Sequence, residues 1–200
     1  SILKELNSDD KKIITVEDPI EYKIDSINQV PINNKVGLSF ELVLKNILRQ
    51  DPDIIFIGEI RDKFSLDIAL QASLTGHLVL ASIHASSSVE TITRLIDLKA
   101  DPFLISTTLK AVMAQRLVLA HCKSCENGCK ECNFTKFYDR TSISEILKVD
   151  EQISSLIFNK ASFNELKEYL NNINFKTILD DGKQKVKDGL TTLAEVYKVV

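Results

Sequence analysis

Two hundred residues, 44% hydrophobic and 26% charged, suffice for one large domain or for a domain with a small annex. A net charge of −3 excludes a surface built throughout for nucleic acid or an anionic membrane, and leaves room only for a local basic patch. No apolar run approaches the roughly 20 residues of a membrane helix, and residues 1–15 lack the apolar centre of a signal peptide, so direct membrane insertion is not expected.

Ile2, Leu3 and Leu6 give the segment from Ser1 to Leu6 one apolar face, stopped by Asn7-Ser8-Asp9-Asp10, and it reads as the end of a helix that begins upstream. Lys12 to Val16 is expected as a buried strand, broken by Pro19 just past Glu17 and Asp18. Asn33 to Gly37 is a loop, after which Ser39 caps a helix running to Leu48 with Phe40, Val43, Leu44 and Ile47 inward. At 53–57 four consecutive apolar residues without alternation fit a strand covered on both faces, and it runs directly into Gly58, Glu59 and Arg61.

Ser65 to Thr75 fits a helix stopped by Gly76, Leu78 to Ile83 a further strand ending at His84, and Ser88 to Leu98 another helix. Asp101-Pro102 is an N-cap with a first-turn proline and starts a helix expected to reach about Ala114. A short apolar run follows at Ile143 to Val149. Ser162 with Glu165 and Thr192 with Glu195 have capping-box spacing, and Gly182 and Gly189 are expected at turns.

Strand and helix alternate from Lys12 to Leu98, which predicts an α/β fold with a mostly parallel sheet and helices on both faces. Three segments are expected: a core over 1–116, a tetracysteine segment over 117–149, and a small C-terminal helical subdomain over 150–200. Charged groups close three of the predicted strands: Glu17, Asp18 and Glu21 the first, Glu59 and Arg61 the second, His84 the third. In a parallel sheet these ends share one edge, where α/β proteins hold ligands. A carboxylate there can assist Mg²⁺ or polarise water, and an arginine can bind phosphate oxygens. The plainer alternative is a set of charges solvating the loops after core strands.

Cys122, Cys125, Cys129 and Cys132 form a C-x2-C-x3-C-x2-C array. Each CxxC can present two thiolates to one ion, which points to a structural Zn²⁺ site. Vacant thiols and an iron–sulfur centre are the alternatives, with a disulfide the least favoured. Glu126, Asn127 and Gly128 must turn the chain back at once, a task for which Gly128 is suited.

Ile14-Thr15-Val16-Glu17-Asp18-Pro19-Ile20-Glu21-Tyr22 resembles the Asp box of the ATPases that power type II secretion systems and type IV pili. Asp51 to Asp62 resembles their Walker B segment, and Thr75-Gly76-His77-Leu78 through Ile83-His84-Ala85 their His box, in the same order. Gln115-Arg116-Leu117, the paired CxxC units, Asp139-Arg140-Thr141 and Gly189-Leu190-Thr191-Thr192-Leu193 extend the resemblance over essentially the whole chain. The cysteines place it with the assembly ATPases of the GspE and PilB type.

The resemblance implies a RecA-like P-loop NTPase core, a homo-hexamer with nucleotide between subunits, and an inner-membrane platform protein as the driven partner. It implies a cytoplasmic location, peripheral to the inner membrane through partners, with ATP and Mg²⁺ as cofactors and no specific nucleic acid. By the same resemblance Glu59 is the Walker B acid, Glu17 and Asp18 are carboxylates near the γ-phosphate, and Arg49 and Arg61 reach phosphate. His77, His84 and Arg116 then belong to the nucleotide site. No GxxxxGK[ST] stands in the 200 residues, so the chain by itself is expected neither to bind ATP tightly nor to hydrolyse it. Two other readings compete: a zinc-bearing interaction module or regulatory subunit without a P-loop, and a hexameric nucleic-acid translocase, disfavoured by the acidic balance and the lack of tryptophan.

Overall fold

A computed structural model describes residues 2–200, and the part of the first expected helix that falls on Ser1 lies outside them. The chain divides into two units, neither continuous in sequence. One takes the residues up to His84 with Thr93–Leu109 and Gln152–Ala161; the other takes Ala85–Ile92, Lys110–Glu151 and Ser162–Val200.

The first unit is built on strands β1 (Ile13–Glu17), β2 (Asn28–Pro31), β3 (Ile54–Ile57) and β4 (Leu78–Ala81), in the spatial order β2-β1-β3-β4. Every pairing is parallel, so all four carboxyl ends share one edge. The central strands are apolar because both of their faces are covered: Ile13, Ile14, Val16, Ile54, Ile55 and Ile57 are all buried. Helix α1 (Ile2–Leu6) adds Leu3 to a cluster with Ile13 and Ile54, against which Leu6, Ile24, Ile27, Phe56 and Leu80 pack. Helix α2 (Phe40–Ile47) starts where the Ser39 hydroxyl accepts the Leu42 N–H, and it buries Val43, Leu44 and Ile47 as its spacing predicts.

Helix α3 (Lys63–Leu74) begins earlier than Ser65, because Asp62 accepts the Ser65 N–H while the Ser65 side chain answers to the Asp62 backbone, a complete capping box. Helix α4 (Ser88–Asp97) follows the fourth strand, and α5 (Pro102–Thr108) is capped by Asp101 with proline in its first turn. The expected continuation of that helix to Ala114 is incorrect. Leu109 is already extended, and β5 (Ala111–His121) begins two residues on, its residues alternating so that Val112, Ala114 and Val118 are buried. A period of two had overtaken the helical period there. Strand β2 is likewise absent from the sequence reading, since it is short and only half-buried.

In the second unit β5 pairs antiparallel with β6 (Phe137–Lys148), from Ala111 opposite Lys148 to Leu119 opposite Arg140, with a bulge between Leu119 and His121. Helices α6 (Glu151–Phe158), α7 (Phe163–Asn172), α8 (Ile178–Lys187) and α9 (Leu193–Tyr197) complete the chain. The buried cluster of the second unit joins Val118, Ile143, Ile178 and Val196. Glu145 is also buried, and its two oxygens accept the Ser88 N–H and hydroxyl on one side and the Ile178 N–H on the other, fixing the first turns of α4 and α8 to the ribbon.

The Ser162–Glu165 capping box forms in full, whereas at α9 only Thr192 does its part: it accepts the Glu195 N–H, and the Glu195 carboxylate pairs with Lys198. Gly189 does make a left-handed turn (φ 71°), but Gly182 is not at a turn. It lies inside α8, where a Cβ would come within 2.6 Å of Val196, so it lets α9 approach. Among the described residues no helix is long and apolar enough to cross a membrane.

Candidate functional site

The common edge of the parallel strands gathers the charged strand ends. Glu59, two residues beyond β3, is the centre of the cluster: Arg61 Nε donates to its Oε2 at 2.6 Å, and His84 Nε2, beyond β4, lies 2.8 Å from its Oε1. A longer contact of 3.8 Å joins Arg61 to Asp18, beyond β1. The Glu59 side chain is 22% exposed, against 62% for Arg61 and 81% for His84. The carboxylate is therefore anchored, while the guanidinium and the imidazole reach into solvent. The Arg61 hydrogen bond holds the Glu59 carboxyl below its usual range against the opposing effect of burial, with lesser help from the charges of Arg61, His84 and Arg94.

Gly58 sets the spacing between Glu59 and Glu17. Its N–H donates to the Val16 carbonyl at 2.8 Å, and a Cβ on it would stand 2.9 Å from that oxygen and 3.3 Å from Glu17 Cα. Only glycine lets the two acidic strand ends lie this close. On Glu17, the Thr15 hydroxyl donates to Oε1 at 2.5 Å and Gln29 Nε2 donates to the same oxygen at 3.0 Å. Neither donor was singled out from the sequence: Gln29 depends on the pairing of β1 with a strand that no apolar run announces, and Thr15 reaches Glu17 within β1 itself.

Glu17, Asp18, Glu59, Arg61 and His84 are thus neighbours on one edge. His77 and Arg49 are not among them. His77 immediately precedes β4 and Arg49 lies in the short turn before β3, which puts both at the amino ends of the strands. There His77 Nδ1 is held at 2.9 Å from the Ala72 carbonyl and 3.0 Å from the Thr75 hydroxyl. Arg116 belongs to β5 in the other unit, where its guanidinium donates to the Ser86 and Gln115 carbonyls.

The four cysteines form a second centre. Their sulfurs lie within 4.8 Å of one another, with separations of 3.9 Å for Cys122–Cys129, 3.6 Å for Cys125–Cys132 and 3.8 Å for Cys129–Cys132. A tetrahedron with Zn–S bonds of about 2.3 Å has S···S edges of about 3.8 Å, so the spacing fits a Zn²⁺ ion; disulfide sulfurs stand about 2.05 Å apart. The Cys129 N–H donates to the Cys132 sulfur at 3.2 Å, a bond that favours a thiolate there. Gly128 makes the tight reversal at φ 101°, with the Phe134 carbonyl 2.9 Å from where a Cβ would be.

Fold and site together define a parallel α/β protein with a carboxylate–guanidinium–imidazole cluster at its strand ends and a tetrathiol centre in the following ribbon. The chain belongs to the type II/IV secretion system protein family, which matches residues 1–198. It is 40% identical to the type II secretion system ATPase E of Vibrio cholerae, over 98% of this chain and 44% of that protein. It is 39% identical to the type IV pilus assembly ATPase PilB of Thermus thermophilus, over 98% of this chain and 25% of the relative. The chain therefore spans less than half the length of these relatives. Among solved structures, the pilus retraction motor PilT with bound ADP superposes with a TM-score of 0.75 at 28% identity, covering 95% of this chain and 52% of that one. The Legionella pneumophila ATPase DotB superposes with a TM-score of 0.76 at 25% identity, over 99% and 54%.

Proposed function

We propose that this chain is the catalytic-edge portion of an ATP-hydrolysing motor that drives a type II secretion, type IV pilus or DNA-uptake apparatus. The observation that carries the reading is Glu59, an ionised carboxylate fixed at a strand end with a guanidinium on one oxygen and an imidazole on the other. Solvent screens pairs whose partners are this exposed, so a phosphate can draw Arg61 and His84 away from Glu59 at little cost. The freed carboxylate then orients a water and takes its proton, while Arg61 neutralises charge on the phosphoryl oxygens and the His84 imidazole hydrogen-bonds to them. Bound ATP with Mg²⁺ supplies the transferable phosphoryl group. Asp18 and Glu17 stand beside this position; Arg49 and His77, at the amino ends of the strands, and Arg116, in the other unit, are assigned to the nucleotide site on family likeness alone.

Membership of the family and the named activities of its relatives support a homo-hexamer acting on a membrane platform protein, placed in the cytoplasm against the inner membrane by its partners. Cys122, Cys125, Cys129 and Cys132 would hold a structural Zn²⁺, whose four thiolates leave no open position for chemistry. Elemental analysis of reductively purified protein should give close to one zinc per chain, falling below about half with Cys125→Ser combined with Cys129→Ser. In the complete protein, Glu59→Gln should lower kcat by about 10²-fold or more with ATP affinity kept within a few fold. Undiminished hydrolysis would move the catalytic role away from Glu59.

A further inference from the structure

Gln29 stands opposite Thr15 in the parallel pairing of β2 with β1. Side chains alternate along a strand, so Thr15 and Glu17 share a face and the register brings the Gln29 amide onto it. Both polar atoms of that amide are engaged. Nε2 donates to Glu17 Oε1 and to the Tyr22 carbonyl, each at 3.0 Å, and Oε1 accepts the Ile24 N–H at 2.8 Å. Ordering a long, half-buried glutamine costs rotamer entropy, and what it secures is one carboxylate and one loop. The Tyr22 ring is 82% exposed, so burial of that ring does not hold the loop beside Glu17. The Thr15 hydroxyl and Gln29 both load Oε1, and among the described residues none donates a hydrogen bond to Glu17 Oε2.

We propose that Gln29 is a positioning residue for the hydrolytic reaction: it fixes the direction of the Glu17 carboxylate and clamps the 22–24 segment beside it, so that Oε2 is presented to the reacting groups. The inference rests on the nucleotide reading of the carboxyl edge. It is tested in the complete protein with Gln29→Leu, which removes donor and acceptor, and with Gln29→Glu. The latter keeps an acceptor for the Ile24 N–H but sets a second carboxylate against Glu17.

Both variants should lower kcat by about tenfold or more, with KM for ATP within about twofold and the urea midpoint unchanged. Hydrogen exchange read by mass spectrometry should accelerate most across 22–24 in Gln29→Leu and less in Gln29→Glu, which keeps the Ile24 bond but not the donor to the Tyr22 carbonyl. A wild-type kcat in either variant, or a loss that follows the urea midpoint, overturns the role. If the unsubstituted complete protein hydrolyses no ATP, the nucleotide reading falls and takes this role with it. An unaltered variant in an active background removes Gln29 alone.

Discussion

Gly58 shows how little room separates the two acidic strand ends. A methyl group there meets the Val16 carbonyl at 2.9 Å and Glu17 Cα at 3.3 Å, both backbone atoms that cannot swing aside. Gly58→Ala must therefore push β3 from β1 where they carry Glu59 and Glu17. Overpacking of this kind costs about 1–3 kcal/mol, to be read as a lower urea midpoint. In the complete protein the loss of hydrolysis should exceed what the fraction unfolded explains, because the displaced carboxylates sit on the two strands forced apart. An unchanged midpoint with unchanged hydrolysis would mean that the strand ends are not tightly coupled. That Glu59 closes a buried strand was legible in the sequence, since an unalternating apolar run stops there at a glycine and a carboxylate. Gln29, the cross-strand donor on Glu17, was not, because such a partner is a property of register, and register was invisible where β2 gave no pattern.

Helix starts dominate the behaviour of individual elements. Asp62 at α3, Glu165 at α7 and Asp180 at α8 each have a carboxyl held below its ordinary range: Asp62 mainly by the Ser65 N–H, Glu165 mainly by the Ser162 N–H, and Asp180 mainly by the Thr177 hydroxyl. A carboxyl whose folded value is depressed stabilises the fold above its unfolded value, and the contribution disappears as pH falls through the folded one. The urea midpoint should accordingly be flat from pH 7 to about 5 and fall below about pH 4.5. The combined Asp62→Asn, Glu165→Gln and Asp180→Asn variant retains the capping acceptors without the charges, and its midpoint should fall less steeply in that range. An identical slope would assign the acid sensitivity to other carboxylates. Ser162 with Glu165 was readable from spacing alone, because a capping box is local. The end of α5 was not. The stretch from Leu109 to Ala114 suits either period, and what selects the strand is pairing with β6, which lies some thirty residues further along the chain.

At the scale of the whole molecule, the decisive quantity is what these 200 residues can offer a triphosphate. A dissociation constant of 1 μM requires about −8.2 kcal/mol. Arg61 and His84 are exposed and already paired to Glu59, so each gains little on changing partner, and Glu17, Asp18 and Glu59 repel phosphate until a cation intervenes. The missing energy would have to come from backbone N–H groups converging at a helix N-terminus with a lysine, and the sequence contains no GxxxxGK[ST] to build them. Isothermal titration of the 200-residue chain with MgATP should therefore show no saturable binding below about 100 μM, and steady-state assays no hydrolysis above background. Micromolar binding by the chain alone would require a phosphate cradle assembled from other residues. With no lysine-bearing loop beside them, Arg61 and His84 would be the first groups to substitute, and Arg61→Ala should then abolish that affinity.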